Sequence, residues 1–414
     1  MSVVSFRERL RDWRHWPEHF GRVTNAHRYV PQIDGLRFLA IAQVVLYHAS
    51  LRGQRAADPA AMPYDGWFAW APNGVAGVEL FFFISGYIIA YPFLTGRPPR
   101  LRSFYLRRVT RLEPPYIVTV LFCFAAFVLA GGRVGPSPAI SHVDDTLPVI
   151  GSLLASLFYL HGLVFAVSPR FNPPLWTLEI EIQFYLFAPF IIGAYMLAHG
   201  AATRVAVAAG LIVTSLIAQA MLDPVARWHY SLATHLSPFL LGVAVSDWAA
   251  RRLPFEAPPA RWADAALAIG LMLFLSGSML FYYRLDALGR AGVLATRLLA
   301  IMLIYLGAAR GRTGRRWFGN RWIALVGGAC YSIYLLHVPL LQVVSRVMLG
   351  AFDLSERAGL AVALVYVLVL PIVILGCMAF YVAVERPCMN GDWPRRLAHQ
   401  LRVGRRERLR EGWR

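Results

Sequence analysis

The sequence predicts an all-α fold, a polytopic bundle of transmembrane helices, on three observations. Of 414 residues, 57% are hydrophobic and only 15% charged, against roughly 25% charged in soluble domains. Apolar runs long enough to cross a bilayer, about 20 residues each, recur along the whole chain. Basic residues gather in short loops and at the two ends. The cationic residues are all arginine. The net charge of +18 would suit nucleic acid, but its distribution is the one that membrane topology requires, so a nucleic-acid partner is set aside.

Apolar runs begin near Asp34, Val75, Pro114, Gly151, Leu175, Val205, Leu232, Ala263, Ala291, Trp322 and Leu360. Eleven crossings would place the termini on opposite sides. Basic loops at 96–111, 250–262 and 310–321 should all face the cytoplasm. They do so if the segment from Gly151 to Val167, which contains His161, dips in without crossing. The expectation is therefore ten spans plus one re-entrant or short helix, with both termini cytoplasmic and sparse outer charge such as Asp144, Asp145, Asp353 and Glu356. Residues 1–28 read as a basic cytoplasmic segment, 29–389 as the membrane domain, and 390–414 as a basic cytoplasmic tail. Nothing at the amino terminus has the apolar core of a cleavable signal. The four cysteines, Cys123, Cys330, Cys377 and Cys388, lack metal-ligand spacing and read as small apolar residues, so no metal site is expected. Residues 51–74 form a long outer stretch, a lid or a simple connector.

The first span, IDGLRFLAIAQVVLYHAS, carries Arg37 and His48. At ~1.5 Å per residue they lie about 16 Å apart along a helix, too far to pair. Ionisable groups in spanning segments mark a path, a site or an ion pair, so each needs its own partner. In the expected topology Arg37, Arg108 and Arg111 lie toward the cytoplasm. Arg108 and Arg111 share a helical face just ahead of EPPY, whose Tyr116 is grouped with them. Arginine forks suit phosphate and keep their charge when desolvated. Arg97, Arg100 and Arg102 read as topology anchors. Toward the outside lie His48, Glu79 in GVELFFFISGYIIA, Glu181 in LWTLEIEIQFYLFAP, and His337 three residues after Tyr334 in YSIYLLHVP. His48 can act as general base when a carboxylate orients it, and Glu181 or Glu79 could serve. Glu179 points elsewhere on its helix. Trp176, His337 and Tyr334 are candidates for substrate contact, although an aromatic belt would also place a tryptophan there.

Taken together, IDGLRFLAI with its downstream His48, GVELFFFISGYII, FYLRRVTRLEPPYI, LWTLEIEIQFYL, YSIYLLHVP and VERP resemble the acyltransferase-3 family of integral membrane acyltransferases, in order, from about Tyr29 to Pro387. The resemblance implies a membrane-bound O-acyltransferase that moves acetyl or another short acyl group from coenzyme A to a hydroxyl of a carbohydrate or lipid-linked glycan. It implies that Arg37 and His48 are the family's Arg–His pair, that Arg108 and Arg111 handle coenzyme A, and that Glu181 belongs to the tryptophan-led motif. Thr177 and Ile182 depart from that motif, which leaves the acceptor class open. Acetyl-CoA is then a co-substrate with no permanently bound cofactor, and the setting is the bacterial cytoplasmic membrane. Many relatives carry an extracytoplasmic esterase-like domain. The chain stops at Arg414 without one, so transfer is expected within the membrane part. An acyl-histidine intermediate stays open. The rival reading, a transporter or flippase of a glycan or acyl compound, lacks the internal repeats and broken helices such folds often show.

Overall fold

A computed structural model describes residues 12–23, 29–58, 74–131, 148–223, 225–276, 282, 285–355 and 357–394. The candidate lid, most of the basic tail and the outer charges Asp144, Asp145 and Glu356 lie outside the described residues.

The described secondary structure is helical throughout, with no strand among the described residues. In chain order the main helices are α1 Pro31–Ala57, α2 Gly74–Leu94, α3 Leu101–Leu129, α4 Val149–Leu157, α5 His161–Phe165, α6 Trp176–Met196 and α7 Ala201–Leu222. They continue as α8 Leu232–Arg252, α9 Arg261–Ser276, α10 Ala287–Arg310, α11 Arg312–Phe318, α12 Arg321–Gly328, α13 Cys330–Leu349 and α14 Ala358–Cys388. Seven of these are long and apolar enough to cross a membrane: α2, α3, α6 (from Pro173), α7, α10, α13 and α14. Helix α1 has the length, at 27 residues, but carries Asp34, Arg37, Arg52 and Arg55. Helix α8 ends in Arg251 and Arg252, and α9 has only 16 residues.

The segment expected to dip without crossing forms two short helices. Helix α4 has nine residues, about 13 Å at 1.5 Å each, less than half of the ~30 Å hydrocarbon layer. The chain turns at Tyr159 (φ 59°), and α5 follows. Glu179 secures this turn: its two carboxylate oxygens accept the backbone N–H of His161 at 3.2 Å and of Gly162 at 2.8 Å. These are orphan donors at the start of α5, and a carboxylate there satisfies them. Tyr116 adds a second tie, donating to the Ser156 carbonyl at 2.6 Å and stacking on Tyr159 with centroids 4.1 Å apart.

Two boundaries differ from the sequence expectation. Helix α3 begins at Leu101 rather than near Pro114, so Arg108 and Arg111 are helical, with Pro114 and Pro115 inside the helix. The run expected to start at Trp322 is broken at Ala329 into α12 and α13. Close packing lies beside the second. A Cβ on Gly327 would lie 1.8 Å from the Asp34 carbonyl oxygen, so α12 rests backbone to backbone on α1. Helices α2 and α8 use the same device reciprocally, Gly86 against the Phe239 carbonyl and Gly242 against that of Phe83. Small residues allow this approach, and dispersion holds helices together where lipid supplies no hydrophobic force. Phe239 then stacks between Phe82 (4.6 Å) and Phe184 (4.1 Å), joining α8, α2 and α6.

Candidate functional site

The polar residues of the bundle form a file from Arg37 to His48. At one end, Asp34 is almost fully buried and accepts from Arg37, three residues on, and from Arg22 at 3.2 Å. Arg37 thus has a partner on its own helix, as a buried guanidinium needs. Next comes Arg111, within electrostatic reach of Arg22, Glu385 and Tyr185. Glu385 lies in a π-helical turn, Tyr381–Glu385, and accepts from the Ser332 backbone N–H at 3.0 Å and its hydroxyl at 2.6 Å. Such turns often mark functional positions. Arg108 lies over the Phe104 ring at 3.6 Å and near Tyr185 at 5.2 Å. Among the described residues neither Arg108 nor Arg111 has a carboxylate oxygen within 4.0 Å, unlike Arg37.

Glu181 occupies the middle of the file. It accepts hydroxyls from Ser85 of α2 and from Tyr185 one turn along its own helix. Arg108, Arg111 and Tyr334 lie within its electrostatic reach. Tyr334 donates to the Pro174 carbonyl at 2.6 Å and meets the Thr177 hydroxyl. Its ring is 5.7 Å from that of His337. His337 in turn meets His48, Nε2 to Nδ1, at 3.2 Å. Arg37, His48, Arg108, Arg111, Glu181 and Tyr185 all keep accessible surface, whereas His337 is fully buried.

The expectation that a carboxylate orients His48 differs from this arrangement. Glu181 is engaged with Ser85 and Tyr185, and Glu79 with Arg297 at 3.1 Å. The ring partner of His48 is His337. Chemistry then sets the tautomers. The Nδ1 of His337 faces the carbonyls of Ile333 (3.0 Å) and Tyr334 (2.8 Å), which can only accept, so this nitrogen carries the proton. Its Nε2 is then an acceptor while the ring is neutral. His48 Nδ1 must donate, shared between His337 and the Val44 carbonyl at 2.9 Å. The remaining nitrogen of His48, Nε2, holds a basic lone pair. His337, a candidate for substrate contact, is fully buried and stands behind His48. Tyr116, grouped with the donor site by its sequence position, is buried and spends its hydroxyl on the α4 backbone.

Trp176 belongs to a neighbouring polar group. Its ring lies 4.8 Å from His229 and 5.5 Å from His235. His229 Nδ1 hydrogen-bonds Asp223, and the Glu79–Arg297 pair lies beside them. Burial raises the Asp223 carboxyl, but the His229 hydrogen bond and the charges of His229 and His235 hold it below its ordinary value. Its contribution to stability is full above the unfolded value of ~3.9 and is lost as pH falls through the lower folded value. Acidification below about pH 4 is thus expected to lower the hydrogen-exchange protection of residues 226–235, measured against the intrinsic rate at each pH; protection that stays constant there would contradict this.

Sequence reasoning missed Arg22, Asp34, Ser85, Tyr185, Asp223, His229, His235 and Arg297 as partners. Asp34 and Tyr185 carried a usable signal, lying at i−3 and i+4 from Arg37 and Glu181. Asp223, His229 and His235 recur at six-residue intervals, a local signal that was not used, whereas Ser85 and Arg297 come from segments distant from their partners.

Arginines, a half-buried glutamate and a pair of facing histidines inside one helical bundle define a polytopic membrane protein with a polar interior. The sequence matches the acyltransferase domain family over residues 30–382, and the chain belongs to that family. It is an integral membrane protein, and its relatives place it in a bacterial cytoplasmic membrane. It is 28% identical over 351 residues to a putative peptidoglycan O-acetyltransferase of Bacillus subtilis (77% of this chain, 49% of the relative). It is 27% identical over 376 residues to a peptidoglycan O-acetyltransferase of Listeria monocytogenes (83% and 54%). A putative O-acetyltransferase of Staphylococcus aureus is 25% identical over 339 residues (77% and 51%). The chain spans about half the length of these relatives. No solved structure shows significant similarity to it.

Proposed function

We propose that the protein is an O-acyltransferase that moves an acyl group, acetyl first among candidates, from acyl-CoA at the cytoplasmic side to a hydroxyl of a carbohydrate at the outer side. The observation that carries this reading is the free Nε2 of His48 at the end of a polar file that begins in arginines. Arg108 and Arg111, which lack a carboxylate within ion-pair distance, receive the donor's phosphates, with Arg37 beside them. The pantetheine arm follows the file, whose length matches the ~16 Å rise from Arg37 to His48. His48 Nε2 takes the proton of the acceptor hydroxyl as its oxygen attacks the thioester carbonyl. The C–S bond breaks, the ester forms, and the proton passes to the departing thiolate. Glu181 balances the arginines rather than the imidazole. The glycan acceptor follows from the names of the relatives, two of which are peptidoglycan enzymes or candidates.

Two measurements test the reading. Purified protein is expected to bind acetyl-CoA, and cells lacking it to lose an O-acetyl ester from surface glycans by mass spectrometry. Failure of both would overturn it.

His337 is expected to act as a positioning residue. His337→Gln, whose amide can donate to the carbonyls and accept from His48, is expected to keep kcat within a few-fold. His337→Leu is expected to lower kcat about tenfold at unchanged KM, the worth of one hydrogen bond of ~1.4 kcal/mol. Equal kcat in the two variants would remove the tautomer argument.

A further inference from the structure

The polar group beside Trp176 has no part in the file. Three segments build it: the end of α7 supplies Asp223, the turn Ala226–His229 supplies His229, and the start of α8 supplies His235. Asp223 and His235 are buried, and His229 is half-buried. One ligand atom from each side chain lies within 4.8 Å of the others. Helix α8 leaves its helical path at His235 (φ −119°, ψ 17°), which turns that ring back over the loop. His235 Nε2 then meets the His229 carbonyl at 2.9 Å. A carbonyl only accepts, so Nε2 carries the proton and Nδ1 is left with the lone pair. Metal-binding histidines have this habit, one nitrogen tied to a carbonyl and the other free.

A cavity of about 20 Å³ lies among the three, with Trp176, Gln219 and Arg297 on its walls. That volume suits one ion or one water and excludes a sugar ring. Glu79 and Arg297 pair with each other at 3.1 Å, which leaves the Asp223 carboxylate for a cation to balance. Glu79 Oε2 and Arg297 Nε and Nη2 are buried without a hydrogen-bond partner. They could engage water or another small group beside an ion.

We propose that Asp223, His229 and His235 bind one divalent transition-metal ion of the zinc class. Two imidazoles and a carboxylate are a zinc-type donor set, and three protein ligands leave one position open.

The test uses untagged full-length protein in detergent, stripped with a chelator, exposed to micromolar Zn2+ and desalted. One zinc per chain is expected by elemental analysis. Asp223→Asn and His235→Gln are expected to bind at least ~10-fold more weakly in chelator competition. His19→Ala, in the exposed amino-terminal His/Asp group, is expected to bind like wild type. Co2+ is expected to give a visible absorption band in wild type and to lose it in the two ligand variants. Monodisperse elution of each variant separates loss of ligand from loss of fold. A wild type that retains no zinc, or ligand variants that retain as much, would overturn the site. Because the readout is metal content, it stands apart from any acyl transfer.

Discussion

His48→Ala is expected to lower the rate of acyl transfer by ~10²–10⁴, the usual range for a lost general base. Acetyl-CoA affinity and membrane abundance are expected to stay near wild type, because Arg108 and Arg111, the proposed hold on the donor's phosphates, lie elsewhere in the file. His48 packs edge-on to Tyr47 and His337 at 5.0 Å, so removal of its ring leaves a small gap rather than an unpaired charge. The comparison to make is single-turnover transfer against equilibrium donor binding. Unchanged transfer in this variant would remove the base, and lost binding with lost transfer would move His48 into the donor site.

Gly327→Val is the second large effect expected, and it acts through the backbone. A Cβ there would overlap the Asp34 carbonyl oxygen, and the next contacts, the Asp34 carbonyl carbon and the Phe38 nitrogen, are also main chain. No side chain can swing away. Helix α12 must separate from α1 just where Asp34 holds Arg37 and Arg22. Overpacking of this kind costs ~1–3 kcal/mol, and it presses on Arg22, which packs against Gly328 of α12 and holds Asp34 at 3.2 Å, while Arg37 keeps Asp34 on its own helix. The variant is expected to be poorly recovered from membranes and to show weakened donor binding in whatever folds. Wild-type thermal stability would contradict the backbone contact.

These two positions show different degrees of legibility in the chain. His48 stood out because an imidazole in a lipid-length apolar run is costly and needs a reason. Arg37, Arg108, Arg111 and Glu181 stood out for the same cause. That residues 151–167 form no full-length helix was read from the loop charges together with the brevity of the run and His161, whereas Glu179, the residue that shapes its turn, was not singled out. Gly327 was one glycine among 33, and its meaning appears only when α1 lies against it.

Composition and the placement of arginine determined the membrane bundle, since hydrocarbon accepts only helices whose polar backbone is satisfied internally, and lipid charge orders the loops. The sequence also singled out the ionisable side chains that an apolar span makes costly. Only the tertiary structure decided who faces whom: Glu181 with Ser85 and Tyr185, Glu79 with Arg297, His48 with His337, and Asp223 with two histidines. The reason is physical. Transfer from water to lipid is a sum over residues and can be read along a string, whereas a hydrogen bond or an ion pair depends on the positions of two groups at once, and these are set by helix packing between segments far apart in the chain.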